Sequence, residues 1–310
     1  MGANLPAMRK NFESQSCPAD LQMYDSGIDP AGTKASFAQV IKAAAPHARV
    51  VHFADTDHFD PSVRGVMDNR ENLEALRTSG FSDIAIEAPH WLQRWNDKLV
   101  DGAVTRPEFE ENIHRALSGT QGNGDGSWTR QIGMTAEYAR DNGMRFHFAD
   151  PQNGGKWCDE SKPDAEVQAC EKEATLDRYD DRGGLGPFLK DPAKEKTFLM
   201  YGAAHFSLDN GSRESTGGSY LKIDVYKDRP AYEGSKDVYK ADNDQGIPTN
   251  KLKPDLIYLI DEQRVYTTCD TDPALKKDIE AIGPEKQAPV LAPPPPPAPA
   301  VQRQAVAAPV

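Results

Sequence analysis

Short apolar runs alternate along this chain with longer stretches in which apolar residues recur every three or four positions. Arg49-Val-Val-His-Phe-Ala54, Asp83-Ile-Ala-Ile-Glu87, Arg145-Phe-His-Phe-Ala-Asp150 and Thr197-Phe-Leu-Met-Tyr201 are β-branched or aromatic and too short for helices. They predict buried strands. Leu221 to Tyr226 and Leu256 to Ile260 add two more. Helical periodicity covers Phe37 to Ala45, 90–100, 107–118 and Ser127 to Asn142, the last ending at Gly143. Another helix is expected to start at Asp60-Pro61, carry Val63, Val66, Met67, Leu73 and Leu76 on one face, and stop at Gly80. Strand–helix alternation with strands apolar on both faces predicts an α/β fold with a mostly parallel sheet flanked by helices. Ligand sites in such sheets lie beyond the carboxyl ends of the strands.

The pattern also divides the chain. Residues 1–35 are polar and rich in turn formers, an irregular leader, and the folded domain is expected over 36–282. Within it, 151–193 is charged and lacks apolar periodicity, which marks a long polar insertion. Residues 283–310 are mostly Pro, Ala, Val and Gln, with Pro293 to Pro297 consecutive. This predicts a disordered, extended tail that serves as a spacer or offers a partner a polyproline segment.

Composition narrows the partners. The net charge of −12 repels a phosphate backbone, and the lysines and arginines are scattered among acids, so nucleic acid is not expected. No apolar run reaches the roughly 18–20 residues that span a bilayer. No signal peptide is visible, which leaves either a cytoplasmic protein or a secreted or periplasmic one whose signal is removed. Cys17, Cys158, Cys170 and Cys269 form no CxxC pair. Cys158 and Cys170 are read equally as a disulfide or as free thiols.

Four of the strands run into acids or a histidine. Asp55, Asp57 and His58 follow the first, Glu87 ends the second with His90 three residues on, Asp150 ends the third, and His205 follows the fourth after a Gly-Ala-Ala turn. Converging on one sheet edge, these groups could activate water by general base catalysis. They could equally hold a divalent metal (Mn, Co or Zn) through N and O ligands. Asp55 and Asp57 also suit a helix cap. Glu87, closing an Ile-Ala-Ile run, is costly to bury without a partner. His52 and His147 lie inside strands and are expected as satisfied core histidines, whereas His114 and Glu108, Glu110 and Glu111 are expected on solvated helix faces.

The succession Ala54-Asp55-Thr56-Asp57-His58, then Ile84-Ala85-Ile86-Glu87, then Met200-Tyr201-Gly202-Ala203-Ala204-His205 resembles the superfamily that joins Tiki proteases, erythromycin esterases and ChaN-like haem-binding proteins. The likeness spans roughly 48–206. Ala54-Asp55 stands where the family has Gly-Glu, and either Asp55 or Asp57 takes the place of that glutamate. The resemblance implies an α/β fold with His58, Glu87 and His205 at its site, and hydrolysis as the ancestral chemistry. Its members include metal-dependent peptidases, esterases that work without metal, and binding proteins.

The expected function is therefore hydrolysis of a small molecule or peptide. His58, Glu87, His205, Asp55 and Asp57 are the catalytic candidates, and His58, Glu87, His205 and Asp150 the candidate metal ligands. One alternative is a non-catalytic protein that binds haem or another small ligand, with His90 beside Trp91 and Trp95, or His205 beside Phe206, as the axial imidazole. Another is a secreted bacterial effector using the same cleft. No GxGxxG or GxxxxGK[ST] motif follows a strand, and Gly183-Gly184-Leu185-Gly186 is read as a turn. No GxSxG elbow is present.

Overall fold

The structure, a computed structural model, describes residues 32–57, 60–66, 69–117, 126–150, 166, 196–202, 219–235, 254–268 and 271–283. The four cysteines, the glycine cluster at 183–186, nearly all of the 151–193 insertion and the tail from 284 onward lie outside these residues.

Eight strands form one sheet: β1 (Thr33–Lys34), β2 (Val50–Asp55), β3 (Phe81–Pro89), β4 (Arg145–Asp150), β5 (Lys196–Gly202), β6 (Tyr220–Tyr226), β7 (Leu256–Leu259) and β8 (Arg264–Thr267). Their order across the sheet is β1-β8-β7-β6-β2-β5-β3-β4. The six strands from β7 to β4 are parallel, and β8 pairs antiparallel with both β7 and β1. The α/β architecture with a mostly parallel sheet thus matches the periodicity of the sequence. Pairing of Thr33 with Val265 brings the sheet into the stretch that composition assigns to the leader.

The helices are α1 (Phe37–Ala44), α2 (Pro61–Arg64), α3 (Arg70–Thr78), α4 (Gln93–Val100), α5 (Arg106–Leu117), α6 (Ser127–Asp141) and α7 (Pro273–Glu280). Ser36 and Gln39 close α1 with a reciprocal capping box. The single helix expected between Asp60 and Gly80 is two. Asp60 caps α2, and Asn69 accepts from the Glu71 N–H to start α3 afresh. The Asn72 side chain donates to the Val66 carbonyl and holds the break. Apolar spacing continued across a break that the cap residue creates.

Alternation along the strands gives the sheet two unlike faces. Val51 and Phe53 of β2, Ile84 and Ile86 of β3, Phe146 and Phe148 of β4, Phe198 and Met200 of β5, and Ile223 and Val225 of β6 pack with the apolar sides of α1, α3, α5, α6 and α7. Burying one such phenylalanine is worth about 1.5–3 kcal/mol. The other face carries His52, Thr197, Tyr201, Tyr220, Lys222 and Asp224, all buried. Near its β6–β8 end, Tyr232 from the helical stretch 229–235 packs with Tyr226, Ile257, Leu259 and Tyr266.

Among the described residues β4 is an edge strand, and side chains cover that edge. Gln93 and Asn96 of α4 donate to the Phe146 carbonyl, and Gln93 Oε1 accepts from the Phe148 N–H. Satisfying these groups blunts an edge that would otherwise invite pairing with another chain.

Candidate active site at the carboxyl edge of the sheet

The chain leaves β2 and β5 in opposite directions along the sheet: β2 runs on to β3, and β5 runs on to β6. Adjacent parallel strands whose onward connections run in opposite directions open a crevice at their carboxyl ends. Asp55 and Gly202, the last residues of β2 and β5, are register partners at its lip. A cleft of about 210 Å³, its open mouth included, lies there; Ile86 and Met200 form an apolar floor, with Asp55, Arg64, Glu87, Trp128 and Tyr201 around it.

Each polar wall residue has a local reason for its place. Glu87 follows the Ile84-Ala85-Ile86 run of β3, and its Oε2 accepts from the Gly202 N–H at 2.6 Å. That bond ties β3 to β5 just past Ile86–Met200, the last pair in register between the two strands. It also supplies the partner that a half-buried carboxylate requires. Asp55 is buried, and its Oδ2 accepts from Arg64 Nε at 2.9 Å while Oδ1 accepts from the Asp57 N–H at 3.1 Å. Asp55 therefore closes an Asx turn and fixes a cation; the capping of α2 falls to Asp60 instead. Burial raises the Asp60 carboxyl, but hydrogen bonds from Ser62 and the Lys227 ammonium at 3.1 Å outweigh it and hold the group below its ordinary value.

Arg64 ends α2 and is 8% exposed. Its guanidinium lies 4.3 Å from the centroid of Trp128, in the first turn of α6. With Nε taken by Asp55, its Nη1 is buried and finds no hydrogen-bond partner among the described residues. A buried donor left unpaired costs roughly 1–3 kcal/mol, and more when it is charged. Neither Arg64 nor Trp128 stands out in the sequence as a site residue. The Asp55 to Arg64 spacing across a short helix is visible only once α2 is known to stop at Arg64.

The remaining candidates separate. Asp150 lies at the end of β4 and accepts from the Tyr201 hydroxyl at 2.9 Å, so it orients a wall residue from behind. Asp57 is exposed on the turn after β2. His90 is exposed on the single turn that follows β3, outside the cleft wall. His58 and His205, each three residues beyond the end of its strand in the sequence, lie outside the described residues.

His52 is fully buried, bonded through Nδ1 to the Tyr220 hydroxyl at 2.5 Å and through Nε2 to the Tyr201 carbonyl at 2.9 Å. His147 bonds Asp83 at 2.8 Å. Both are the satisfied strand histidines expected. His114 is instead half-buried, packed close to Gly126. Glu110 is half-buried against Gly133 of α6, and burial raises its carboxyl above the ordinary value. A glycine opposite made room that helix periodicity does not reveal.

Among the described residues no group of three His, Cys, Asp or Glu side chains could hold a metal ion. Asp55 is engaged by Arg64 and Glu87 by a backbone N–H, and the candidate ligands His58 and His205 lie outside the described residues. No described helix is long and apolar enough to cross a membrane.

No protein-family model matches the chain, and no curated protein does. Two solved structures are similar to it. One is the type III effector HopBA1, at 17% identity and a TM-score of 0.44, covering 64% of this chain and 89% of that one. The other is a crystal structure of bacterial protein toxins, at 15% identity and a TM-score of 0.32, covering 69% of this chain and 38% of that one.

Proposed function

We propose that the cleft between β2 and β5 is the active site of a hydrolase in which Glu87 is the general base, acting on a small molecule or peptide. The observation that carries this reading is the Glu87 carboxylate, anchored by the Gly202 N–H and lining the crevice at the carboxyl ends of the two strands. A carboxylate fixed through one oxygen is oriented for proton abstraction before any substrate arrives. Glu87 takes a proton from water, the hydroxide adds to an acyl carbon, and the proton passes to the leaving group as the bond to it breaks. Such a base contributes about 10²–10⁴-fold to rate.

The order of motifs supports the same reading. Asp55, Glu87 and Gly202 lie at or near the carboxyl ends of three neighbouring strands, and His58 and His205 follow two of them in the sequence, an order similar to that of the Tiki and erythromycin esterase superfamily. In this reading the two histidines are the acid–base partners of Glu87.

The test is incubation of the full chain with a panel of aryl esters and blocked peptides in ¹⁸O-labelled water. Mass spectrometry should find label in a released acid for the wild type and not for Glu87→Gln. Equal incorporation by a folded Glu87→Gln protein would remove Glu87 from the chemistry.

A further inference from the structure

The cleft holds a cation whose bonding is incomplete, and nothing in the hydrolytic role of Glu87 requires it. Arg64 is buried on the cleft wall, clamped at Nε by Asp55 and backed by the Trp128 ring, and its Nη1 is unpartnered among the described residues. We propose that Arg64 is a docking site for a substrate carboxylate, so that the enzyme acts on carboxylate-bearing compounds; this rests on the hydrolase reading of the same cleft.

The argument starts from geometry. A guanidinium is a planar fork of five donors, suited to bidentate pairing with a planar carboxylate. Asp55 occupies the Nε edge and fixes the plane, so the fork cannot rotate away. The indole face of Trp128 stabilises the cation and provides a flat wall for an apolar group attached to the ligand. An anion at Nη1 would supply the bond that Arg64 lacks, and the donor is ordered in advance at no cost on binding.

Charge selects among anions. Among the described residues Asp55 and Glu87 both line the cleft beside Arg64, so one cation faces two carboxylates. A phosphate dianion would meet that excess of negative charge, whereas a singly charged carboxylate meets less repulsion.

The experiment is isothermal titration calorimetry of the full chain with hippurate, with its neutral amide hippuramide, and with inorganic phosphate. The variants are Arg64→Lys, Asp55→Asn/Arg64→Met and Glu87→Gln, each checked for folding by circular dichroism. The paired variant avoids leaving Asp55 buried without its cation, and Arg64→Lys keeps the charge while removing the fork. Hippurate should bind the wild type at least about tenfold more tightly than hippuramide or phosphate, and should weaken by about tenfold or more in both Arg64 variants. Glu87→Gln, which removes one of the two cleft carboxylates, should bind hippurate more tightly than the wild type. Equal binding of hippuramide, tighter binding of phosphate, no binding at all, or unchanged binding by a folded Arg64 variant would each overturn the proposal. Hippurate binding that depends on Arg64, in a protein that hydrolyses no ester or peptide, would sink the hydrolase reading while leaving the carboxylate site standing.

Discussion

Strand β3 carries two acids four residues apart, and they live in opposite circumstances. Asp83, near its amino end, is 1% exposed and fully partnered. Arg145 bonds both its oxygens, through Nε at 2.8 Å and Nη2 at 2.6 Å, while His147 and Ser82 complete the set at 2.8 and 2.7 Å. Burial pushes the Asp83 carboxyl up, but the bonds from His147, Arg145 and Ser82 outweigh it and hold the group well below the usual carboxylate range. Glu87, near the other end, is half-buried on a cleft beside a guanidinium with a nitrogen unpaired among the described residues. The contrast teaches where to look for chemistry. A closed polar network, with every donor and acceptor matched, serves stability; an anchored acid beside an incomplete cation is prepared for a ligand.

Substitutions at these two acids should therefore part company. Glu87→Gln should lower turnover by about 10²-fold or more, with thermal unfolding close to that of the wild type; hydrolysis assays beside calorimetric melting check both halves. Asp83→Asn should do the reverse. Losing charge-assisted bonds to Arg145 and His147 should cost about 2–3 kcal/mol in urea unfolding, with turnover per folded molecule unchanged.

Tyr201→Phe sharpens the comparison at the cleft wall. It deletes the bond to Asp150, and should cost about 1 kcal/mol of stability with only a several-fold fall in turnover. A loss as large as that of Glu87→Gln would move Tyr201 from wall to chemistry.

The smallest effect is one of pH. Because the folded Asp83 carboxyl lies below its unfolded value of about 3.9, its contribution is fully present above that value and fades as pH falls through the folded one. The stability gap between the wild type and Asp83→Asn should narrow as pH falls below about 4. Urea titrations at stepped pH measure it, and a gap that widened on acidification would contradict the assigned direction.

Much of this was legible in the sequence because periodicity and burial are local properties. The runs at 50–55, 83–87, 145–150 and 197–201 are strands, they are parallel, and Asp55, Glu87 and Asp150 sit towards the carboxyl edge. Glu87 could be singled out because an acid ending an apolar run needs a partner. That partner is the N–H of Gly202, 115 positions away in the sequence, which no local pattern specifies. Arg64 was hidden because its meaning depends on three separate placements: the end of α2, the carboxylate of Asp55 and the ring of Trp128. The split of the 60–80 helix, the two-residue strand β1 and the edge closure by Gln93 and Asn96 were likewise decided by capping and tertiary hydrogen bonds, which apolar spacing does not encode.

The central claim is that catalysis resides in Glu87 at the β2–β5 crevice rather than elsewhere on the sheet. The most direct measurement is the turnover of Glu87→Gln and Asp83→Asn side by side, on one substrate, each scaled to its folded fraction. The account predicts a fall of about 10²-fold or more for Glu87→Gln and a value near that of the wild type for Asp83→Asn. Full turnover by folded Glu87→Gln would contradict it.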